Sequence, residues 1–500
     1  MIGRRSVLIM TSRLLANGLA FVGLLFIFRY LGQETYGTIQ WSLSLVATFN
    51  AVADLGFNHA HLKRVSEGRD PSDCLSTFVV TKLALTGSMT LLVLGGVSIW
   101  TMMGNTLTDT SMDIILLFVL YHVFHDIAHI ATFTFDAKLQ SAKAQLSILM
   151  DPLLRLPFIV IVALYGLSDT ALAFTYVIGG LGFAVTAQVL LMRDGFVWKR
   201  PTLFRPYFQF ALPIATIIII TVLSENIDRI LIGLFWSSAS VGSYAAGLRM
   251  VEMLSIIGVA ITNLIFPFLS KLYAEGRLEE VKEKTAQAER YIAMLALPAV
   301  VLLFLFPSQI ATLFLGSGAG EVGPPLRFLA LAIFLNLLNE VHVSQINAMN
   351  RPELAAKLRF LGLAINVGVL LLLVPTSLFG FTTAGLGAEG AAIAKLVEFS
   401  ALFLMIRFAV FRLAGVVPNH HLLRMVPGAL LASGLLYLLG EVWSPAGPIA
   451  LLMYGLLSLG LFVSLFALSG EVTRRDFDFL LRAINPREML DYIRSELRRE

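Results

Sequence analysis

The chain has 500 residues, of which 57% are hydrophobic and only 14% are charged. Soluble proteins average about 45–50% apolar and about a quarter charged residues, so this composition excludes an ordinary water-soluble protein. The net charge of +4 comes from basic residues in short loops between apolar runs, a distribution typical of membrane orientation and not of nucleic-acid binding. Cys74 is the single cysteine, which excludes a disulfide framework and a multi-cysteine metal cluster.

Apolar stretches long enough to cross a bilayer, about 20 residues each, recur along almost the whole sequence. They predict an all-α integral membrane protein of about fourteen transmembrane helices. The first stretch is too long for a signal peptide and is interpreted as a retained span. The predicted spans are 6–28, 38–60, 79–102, 112–133, 146–166, 170–192, 207–235, 243–270, 289–313, 325–347, 355–376, 384–408, 423–439 and 446–469.

The loop charges favour one topology. With both termini in the cytoplasm, 30 of the 37 Lys and Arg residues fall on the cytoplasmic side and two, Arg29 and Arg327, on the other. This bias follows the positive-inside rule and predicts a multi-pass protein of the cytoplasmic membrane. Residues 471–500 mix seven arginines with apolar residues, which predicts either an amphipathic cytoplasmic tail on anionic lipids or a solvated tail.

An internal repeat divides the first twelve spans. KRVSEGR at Lys63 returns as KLYAEGR at Lys271, 208 residues later, and Gly37 and Gly242 precede the second and eighth spans. Asp136 and Asn347 are a third matching pair. These matches predict two six-helix lobes of like orientation around a central cavity, at residues 1–205 and 206–420, followed by two further helices at 421–470.

Ionisable residues inside predicted spans are the best indicators of function, because a charge in hydrocarbon is costly unless paired or hydrated. Arg13 and Asp54 have no partner of opposite charge nearby in sequence, whereas Arg249 could pair with Glu252. An arginine in a hydrated cavity suits a diphosphate, since its planar fork binds phosphate oxygens; a structural pairing across helices is the alternative. Two pairs have the i,i+4 spacing of structural ion pairs: Asp151 with Arg155, and Glu225 with Arg229.

The fourth span places four polar residues on one helical stripe: His122, His125, Asp126 and His129. They could bind a metal, but a polar cavity wall that contacts sugar or water is the preferred interpretation, and no metal or other cofactor is predicted. Asn50 could add an amide that reads sugar hydroxyls, although such amides also serve as packing contacts. No Walker A loop is present and the outer loops are short, so the sequence predicts no catalytic residues and no enzyme activity.

Several motifs resemble the polysaccharide and oligosaccharide flippases of the multidrug/oligosaccharidyl-lipid/polysaccharide exporter superfamily. They are YLGQETYG at Tyr30, ADLGF at Ala53, NIDRILIG at Asn226, VGSYAAGLRM at Val241 and FPFLSKLYAEGR at Phe266. The resemblance implies a flippase that moves a polyprenyl-diphosphate-linked oligosaccharide to the outer face by alternating access. It implies phosphate contacts at Arg13 and Arg249, a lipid-tail groove in the last two helices, and a family DR motif at Asp228 and Arg229.

The working hypothesis is therefore a monomeric flippase for cell-surface glycan synthesis. Arg13 and Arg249 hold the phosphate, and Glu252 is a further substrate-binding candidate. Asn50, Asp54 and the fourth-span stripe line the sugar path. Glu225, Asp228 and Arg229 are candidates for coupling or gating. Its partners would be a polyprenyl-linked glycan, anionic lipids and the glycan polymerase or glycosyltransferase machinery. Two alternatives stay open: a cation-coupled drug exporter on the same fold, and a membrane component of glycan polymerisation.

Overall fold

The computed structural model describes residues 2–103, 109–415, 419–445 and 447–471. In that part of the chain, almost all ordered elements are α-helices, as the composition predicts. The predicted amphipathic segment in 472–500 lies outside the described residues. The chain forms two units, Met1–Gly242 and Ser243–Glu500, each considered by itself below. The lobes predicted at 1–205 and 206–420 rest on the sequence repeat and stay a prediction.

The first unit contains eight helices and the start of a ninth among its described residues. They are α1 (Ile2–Tyr30), α2 (Gly32–Asp54), α3 (Phe57–Ser66), α4 (Pro71–Met102), α5 (Asp109–Ala137), α6 (Ser141–Tyr165), α7 (Asp169–Arg193), α8 (Phe204–Phe235) and α9 (Ser238–Glu252). Helix starts follow local capping rules: the Asp70 carboxylate accepts from the backbone N–H of Ser72 at 2.7 Å, directly before Pro71.

The second unit continues with helices that pack mainly around α13. They are α10 (Ser255–Ala274), α11 (Leu278–Leu305), α12 (Pro307–Leu315), α13 (Gly323–Ala348), α14 (Pro352–Leu373), α15 (Gly387–Ala414), α16 (His420–Val442) and α17 (Pro448–Leu468). A 3₁₀ turn, Ser317–Val322, precedes α13. Strands β1 (Ser377–Leu378) and β2 (Phe381–Thr382) form a small antiparallel hairpin between α14 and α15.

Within the described residues, twelve helices are long and apolar enough to cross a membrane. The other two predicted spans, the second and the twelfth, coincide with α2–α3 and with α15. Both are helical but more polar: α2 contains Asn50 and Asp54, and α15 contains Lys395 and Glu398. The predicted helical membrane fold is therefore confirmed, with twelve candidate spans in the described residues, while the total of fourteen stays a prediction.

Two predicted spans are interrupted and not continuous, which corrects the sequence interpretation. The second span breaks at Leu55 and Gly56, whose φ angles of 39° and 84° lie in the left-handed region. The eighth span breaks at Met253–Leu254, between α9 and α10. Both spans of this repeat pair are interrupted, but at different repeat positions, since Leu55 and Met253 are 198 residues apart and the repeat offset is 208. Segment length and composition do not reveal such a break, since each predicted span extends across it.

The last two helices pack on each other and on α11. Phe462 and Phe466 of α17 lie with Met425 and Ala432 of α16 in a buried cluster that includes Ala293 of α11. Their outer faces expose large side chains, among them Leu430 and Leu452. Such faces suit hydrocarbon and not water.

Candidate functional site

The break in the second span is stabilised by charged side chains on both sides. The Asp54 carboxylate accepts from the backbone N–H of Asn58 at 3.3 Å, at the start of α3. The Lys82 ammonium on α4 donates to the backbone oxygen of Ala53 at 2.8 Å, at the end of α2. A carboxylate at a helix N-terminus and a cation at a C-terminus both oppose the helix dipole favourably. Asp54, expected in the sugar path, therefore has a structural contact at the helix break.

Lys82 is also half of a buried ion pair. Its ammonium lies 2.8 Å from the Asp126 carboxylate, and both side chains are 1% exposed. Thr86 donates to the other Asp126 oxygen at 3.0 Å. The pair joins α4 to α5 and, through Ala53, to α2. Both Asp126 oxygens thus have a protein contact, and the spacing of residues along α5 alone does not show that Asp126 faces α4.

The remaining stripe residues face different neighbours. His125 lies 3.1 Å from the Asp151 carboxylate of α6, and its ring centre lies 4.2 Å from that of Tyr121, with the two rings tilted by 51°. His129 packs edge-on against Phe133 and Phe183. The buried Nε2 of His122 has no hydrogen-bond partner in the part of the chain that the structure describes. Among the same residues, no group of three or more His, Cys, Asp and Glu is placed to hold a metal ion.

Asp151 is the centre of a compact polar cluster on α5, α6 and α7. Arg155 lies 3.6 Å from one carboxylate oxygen, and Tyr121 donates to the other at 3.2 Å. The Arg155 guanidinium also covers the Tyr176 ring at 4.5 Å. A side chain at Gly179 would approach the Asp151 carboxylate to 2.2 Å, so glycine is needed there. The expected pairing of Asp151 with Arg155 is present, within a larger network than the spacing alone indicates.

Arg13 is exposed on α1 and lies near enough to Asp136 of α5 for their charges to interact. On α2, the buried side-chain oxygen of Asn50 has no hydrogen-bond partner among the described residues. Asn50 Oδ1 and His122 Nε2 are therefore polar atoms left to water or a ligand, since buried polar atoms are ordinarily paired.

The α8 residues connect to α2. The Arg229 guanidinium donates to the backbone oxygen of Glu225 at 2.6 Å, to Asn226 Oδ1 at 3.2 Å and to Gln40 Oε1 at 3.2 Å. Asp228 is 1% exposed. Arg229 therefore anchors α8 on α2 within the first unit, a structural role that does not by itself indicate gating or coupling.

In the second unit, Arg249 of α9 is paired with Glu252. Their charged atoms are 3.1 Å apart, and the side chains are 29% and 42% exposed. An ion pair this exposed contributes little net free energy, about 0–1 kcal/mol, so a stronger anion could replace Glu252 without a large penalty.

The structure adds a buried network that the sequence analysis missed. Glu289 of α11, 1% exposed, lies 2.8 Å from His342 of α13, pairs with Arg407 of α15 and accepts from Asn419 at 3.0 Å. Asn419 also caps α16 by accepting from the backbone N–H of His421 at 3.0 Å. One carboxylate therefore connects four helices at the end of the unit predicted to face the cytoplasm. Glu289 begins the span predicted at 289–313 and Arg407 lies one residue before the end of that at 384–408, so the sequence does not mark them as charges inside the membrane.

Comparison with known proteins places this arrangement in a family. The family described as "Polysaccharide biosynthesis protein" matches residues 2–273, and the MatE family matches 213–372. The chain is 22% identical over 405 residues to the probable low-salt glycan biosynthesis flippase Agl15 of Haloferax volcanii, covering 80% of this chain and 81% of that protein. It is 26% identical over 175 residues to the probable flippase AglR of the same organism, about a third of each chain.

Solved structures show the same fold. The inward closed conformation of the lipid II flippase MurJ superposes with a TM-score of 0.71 at 13% identity, covering 92% of this chain and 98% of that one. An inward-facing multidrug resistance MATE transporter gives 0.64 at 15% identity, covering 81% and 96%. The predicted fold class and superfamily resemblance are confirmed, and the chain belongs to the polysaccharide biosynthesis protein family.

Proposed function

We propose that the chain is a flippase that moves a polyprenyl-diphosphate-linked oligosaccharide from the inner to the outer face of the cytoplasmic membrane by alternating access. The observation that supports this best is its family membership, together with relatives named as glycan biosynthesis flippases. The orientation with both termini in the cytoplasm belongs to the same proposal, as does its place beside glycan polymerase or glycosyltransferase machinery and anionic lipids.

Arg13 and Arg249 are the proposed phosphate contacts. Arg13 is exposed, and the Arg249–Glu252 pair is exposed enough to open, so both guanidinium groups are accessible to an anion. A diphosphate carries more negative charge than the Glu252 carboxylate. Two of its oxygens can accept parallel N–H hydrogen bonds from one guanidinium group. Phosphate binding therefore competes with Glu252 for Arg249 and with Asp136 for Arg13.

The proposed sugar path in the first unit follows α2 and α5. Asn50 and His122 offer buried polar atoms that lack a partner in the described structure. The other four candidates contact neighbouring protein groups and so position the helices of this wall. Asp54 contacts Asn58 and His125 contacts Asp151, while Asp126 contacts Lys82 and His129 contacts Phe133. In the proposed division of roles, Asn50 and His122 contact sugar, and the other four position the helices.

The test is translocation by the purified protein in liposomes, with a fluorescent polyprenyl-diphosphate oligosaccharide whose outer-leaflet fraction is measured by chemical quenching. We expect wild type to translocate the lipid and Arg13→Ala/Arg249→Ala to slow it at least tenfold. Arg412→Ala is the matched control, because Arg412 is an exposed arginine at the end of α15. Wild type without translocation contradicts the function, whereas an unaffected double variant contradicts only the phosphate site.

A drug exporter is the second candidate, since residues 213–372 match the MatE family and MATE transporters share the fold. Such an exporter would move cationic amphipathic dyes in the same liposomes and would not move the glycolipid. Measuring both cargoes on one preparation separates the two candidates.

A further inference from the structure

A polar pocket of about 230 Å³ lies between α10 and α13 in the second unit. The residues that line it come from those two helices alone: Thr262, Phe266, Glu340, Val343, Ser344 and Asn347. Ligand pockets for drug-sized molecules span about 300–1,000 Å³, so this pocket suits one sugar ring and not an oligosaccharide.

Two hydroxyl groups of this pocket are buried and unsatisfied. Ser344 is 5% exposed, and neither its Oγ nor the Thr262 Oγ1 has a hydrogen-bond partner in the described part of the chain. Helical Ser and Thr ordinarily donate to the carbonyl four residues earlier, as Ser433 does to Ala429 at 2.7 Å. A buried hydroxyl without a hydrogen bond costs free energy. A molecule that enters the pocket and bonds to these two hydroxyls would recover that cost.

The rim adds a carboxylate, an amide and an aromatic ring. Glu340 accepts from Arg359 at 2.8 Å, but both side chains are more than a third exposed, so this pair opens at little cost. Asn347 is exposed, and Phe266 is 42% exposed. A pyranose has hydroxyls at its edge and an apolar face of C–H groups. Hydroxyl, carboxylate and amide partners beside an exposed aromatic ring match both features.

The internal repeat relates this pocket to the sugar path proposed in the first unit. Glu340 follows His129 by the 211 positions that separate Asn347 from Asp136. Thr262 follows Asp54 by the 208 positions that separate Lys271 from Lys63. Thr262 lies on α10 and its match Asp54 ends α2, so both belong to the interrupted span of their half, and Glu340 on α13 matches His129 on α5. Two residues of the pocket therefore match, in the second half, residues that hold the wall of the proposed sugar path in the first.

We propose that the pocket between α10 and α13 binds the hydroxyls of one sugar residue of the lipid-linked glycan, with Ser344 and Thr262 as floor contacts and Glu340 at the rim. This inference rests on the proposed flippase function. It assigns glycan recognition to residues separate from Arg13 and Arg249, so binding of sugar and binding of phosphate are separable by mutation.

The experiment compares two probes on the full-length protein in lipid nanodiscs: a polyprenyl diphosphate bearing a short N-acetylhexosamine-containing oligosaccharide, and the same lipid without sugar. We expect wild type to bind the glycosylated lipid at least tenfold more tightly. Thr262→Val/Ser344→Ala keeps the side-chain volumes nearly constant. This double variant should lower the affinity for the glycosylated probe about tenfold and leave the affinity for the bare lipid unchanged. Ser433→Ala is the control, because that hydroxyl is satisfied within its own helix.

Glu340→Gln is a second variant at the exposed rim, outside the packed floor, and should weaken the glycosylated probe several-fold. Wild-type affinities that are equal for the two probes overturn the inference, as do pocket variants that bind the glycosylated probe like wild type. Equal weakening of both probes also overturns it, because sugar is then not what the pocket reads. If the wild-type protein translocates glycolipid and the pocket variants bind the glycosylated probe with wild-type affinity, the pocket does not bind sugar, whereas the proposed flippase function stands.

Discussion

Gly37 and Gly242, which occupy matching positions in the internal repeat, pack against each other. A β-carbon built on Gly37 would lie 1.7 Å from the backbone oxygen of Ser238, and one on Gly242 would lie 2.0 Å from that of Gln33. The first turns of α2 and α9 thus approach in direct backbone contact. Small residues permit such close approach between membrane helices.

Substitution at this contact should destabilise the protein. Gly37→Ala or Gly242→Ala must push the two helices apart, and overpacking of this kind costs about 1–3 kcal/mol. The readout is the melting temperature of the detergent-solubilised protein, followed by the loss of its monodisperse chromatographic peak. Gly87→Ala on α4 is the control, since its β-carbon would meet nothing within 4 Å. Equal melting temperatures of the Gly37→Ala and Gly87→Ala variants would refute the close contact between the two helices.

The Lys82–Asp126 pair should show strong coupling. Lys82→Met leaves the Asp126 carboxylate buried without its cation, and removing one partner of a buried pair costs about 3–5 kcal/mol. Lys82→Met/Asp126→Leu removes both charges and should recover most of that loss. A double-mutant cycle on melting temperature measures the coupling. Additive losses would mean that the two residues act independently.

Two substitutions of Asn419 should separate its role as the cap of α16 from its hydrogen bond to the Glu289 carboxylate. Asn419→Ser keeps a cap for α16 but loses the amide hydrogen bond to Glu289, and a hydrogen bond to a charged group is worth about 1.5–3 kcal/mol. Asn419→Asp also keeps the cap but places a second carboxylate beside Glu289. We expect the aspartate variant to melt below the serine variant at neutral pH. The reverse order would exclude Glu289 as an anion in this network.

Asp194, in the loop after α7, should give a small pH-dependent contribution to stability. Partial burial favours its neutral form, but hydrogen bonds from Lys143 and Lys138 outweigh that effect and hold the pKa of the Asp194 carboxyl below its usual value. A lowered folded-state pKa stabilises the fold fully above the unfolded pKa of about 3.9, and this contribution is lost as pH falls through the folded pKa. Asp194→Asn should therefore be less stable by under about 1 kcal/mol at pH 7, with the difference shrinking below about pH 4. A difference constant from about pH 7 to pH 2 would contradict the ion pairs.

Glu252 should act as a competitor for phosphate at Arg249. If Arg249 binds the diphosphate, Glu252→Gln removes the ion pair and should tighten binding of unglycosylated polyprenyl diphosphate several-fold. Arg249→Lys should weaken it, because an ammonium cannot reproduce the guanidinium fork. Binding in nanodiscs is the measurement, and weaker binding by Glu252→Gln would place the glutamate in the site as a positioning group.

Much of the helical architecture follows from apolar length, as the agreement between α13, Gly323–Ala348, and the span predicted at 325–347 illustrates. Partners across helices do not follow from it. His125 and Asp126 are adjacent in sequence, yet one faces Asp151 of α6 and the other faces Lys82 of α4. Such pairings depend on which helices become neighbours, information that one helical wheel does not contain.

The helix breaks were missed for a related reason. Gly56 lies inside a stretch predicted as one span, and its left-handed conformation is visible only in the backbone. Glu289 is the first residue of the span predicted at 289–313, so the sequence does not mark it as a charge inside the membrane, although its carboxylate is buried beside His342 and Asn419. Arg249 with Glu252 was anticipated, since both residues lie within one turn of one helix.

The capped break between α2 and α3 also bears on how the protein is made. The second span is too polar to be stable in lipid on its own, and the ammonium and carboxylate that complete it, Lys82 and Asp126, belong to segments synthesised afterwards. We therefore expect the insertion machinery to release this span only together with the third and fourth spans. These three segments would then enter the bilayer jointly and not by independent insertions.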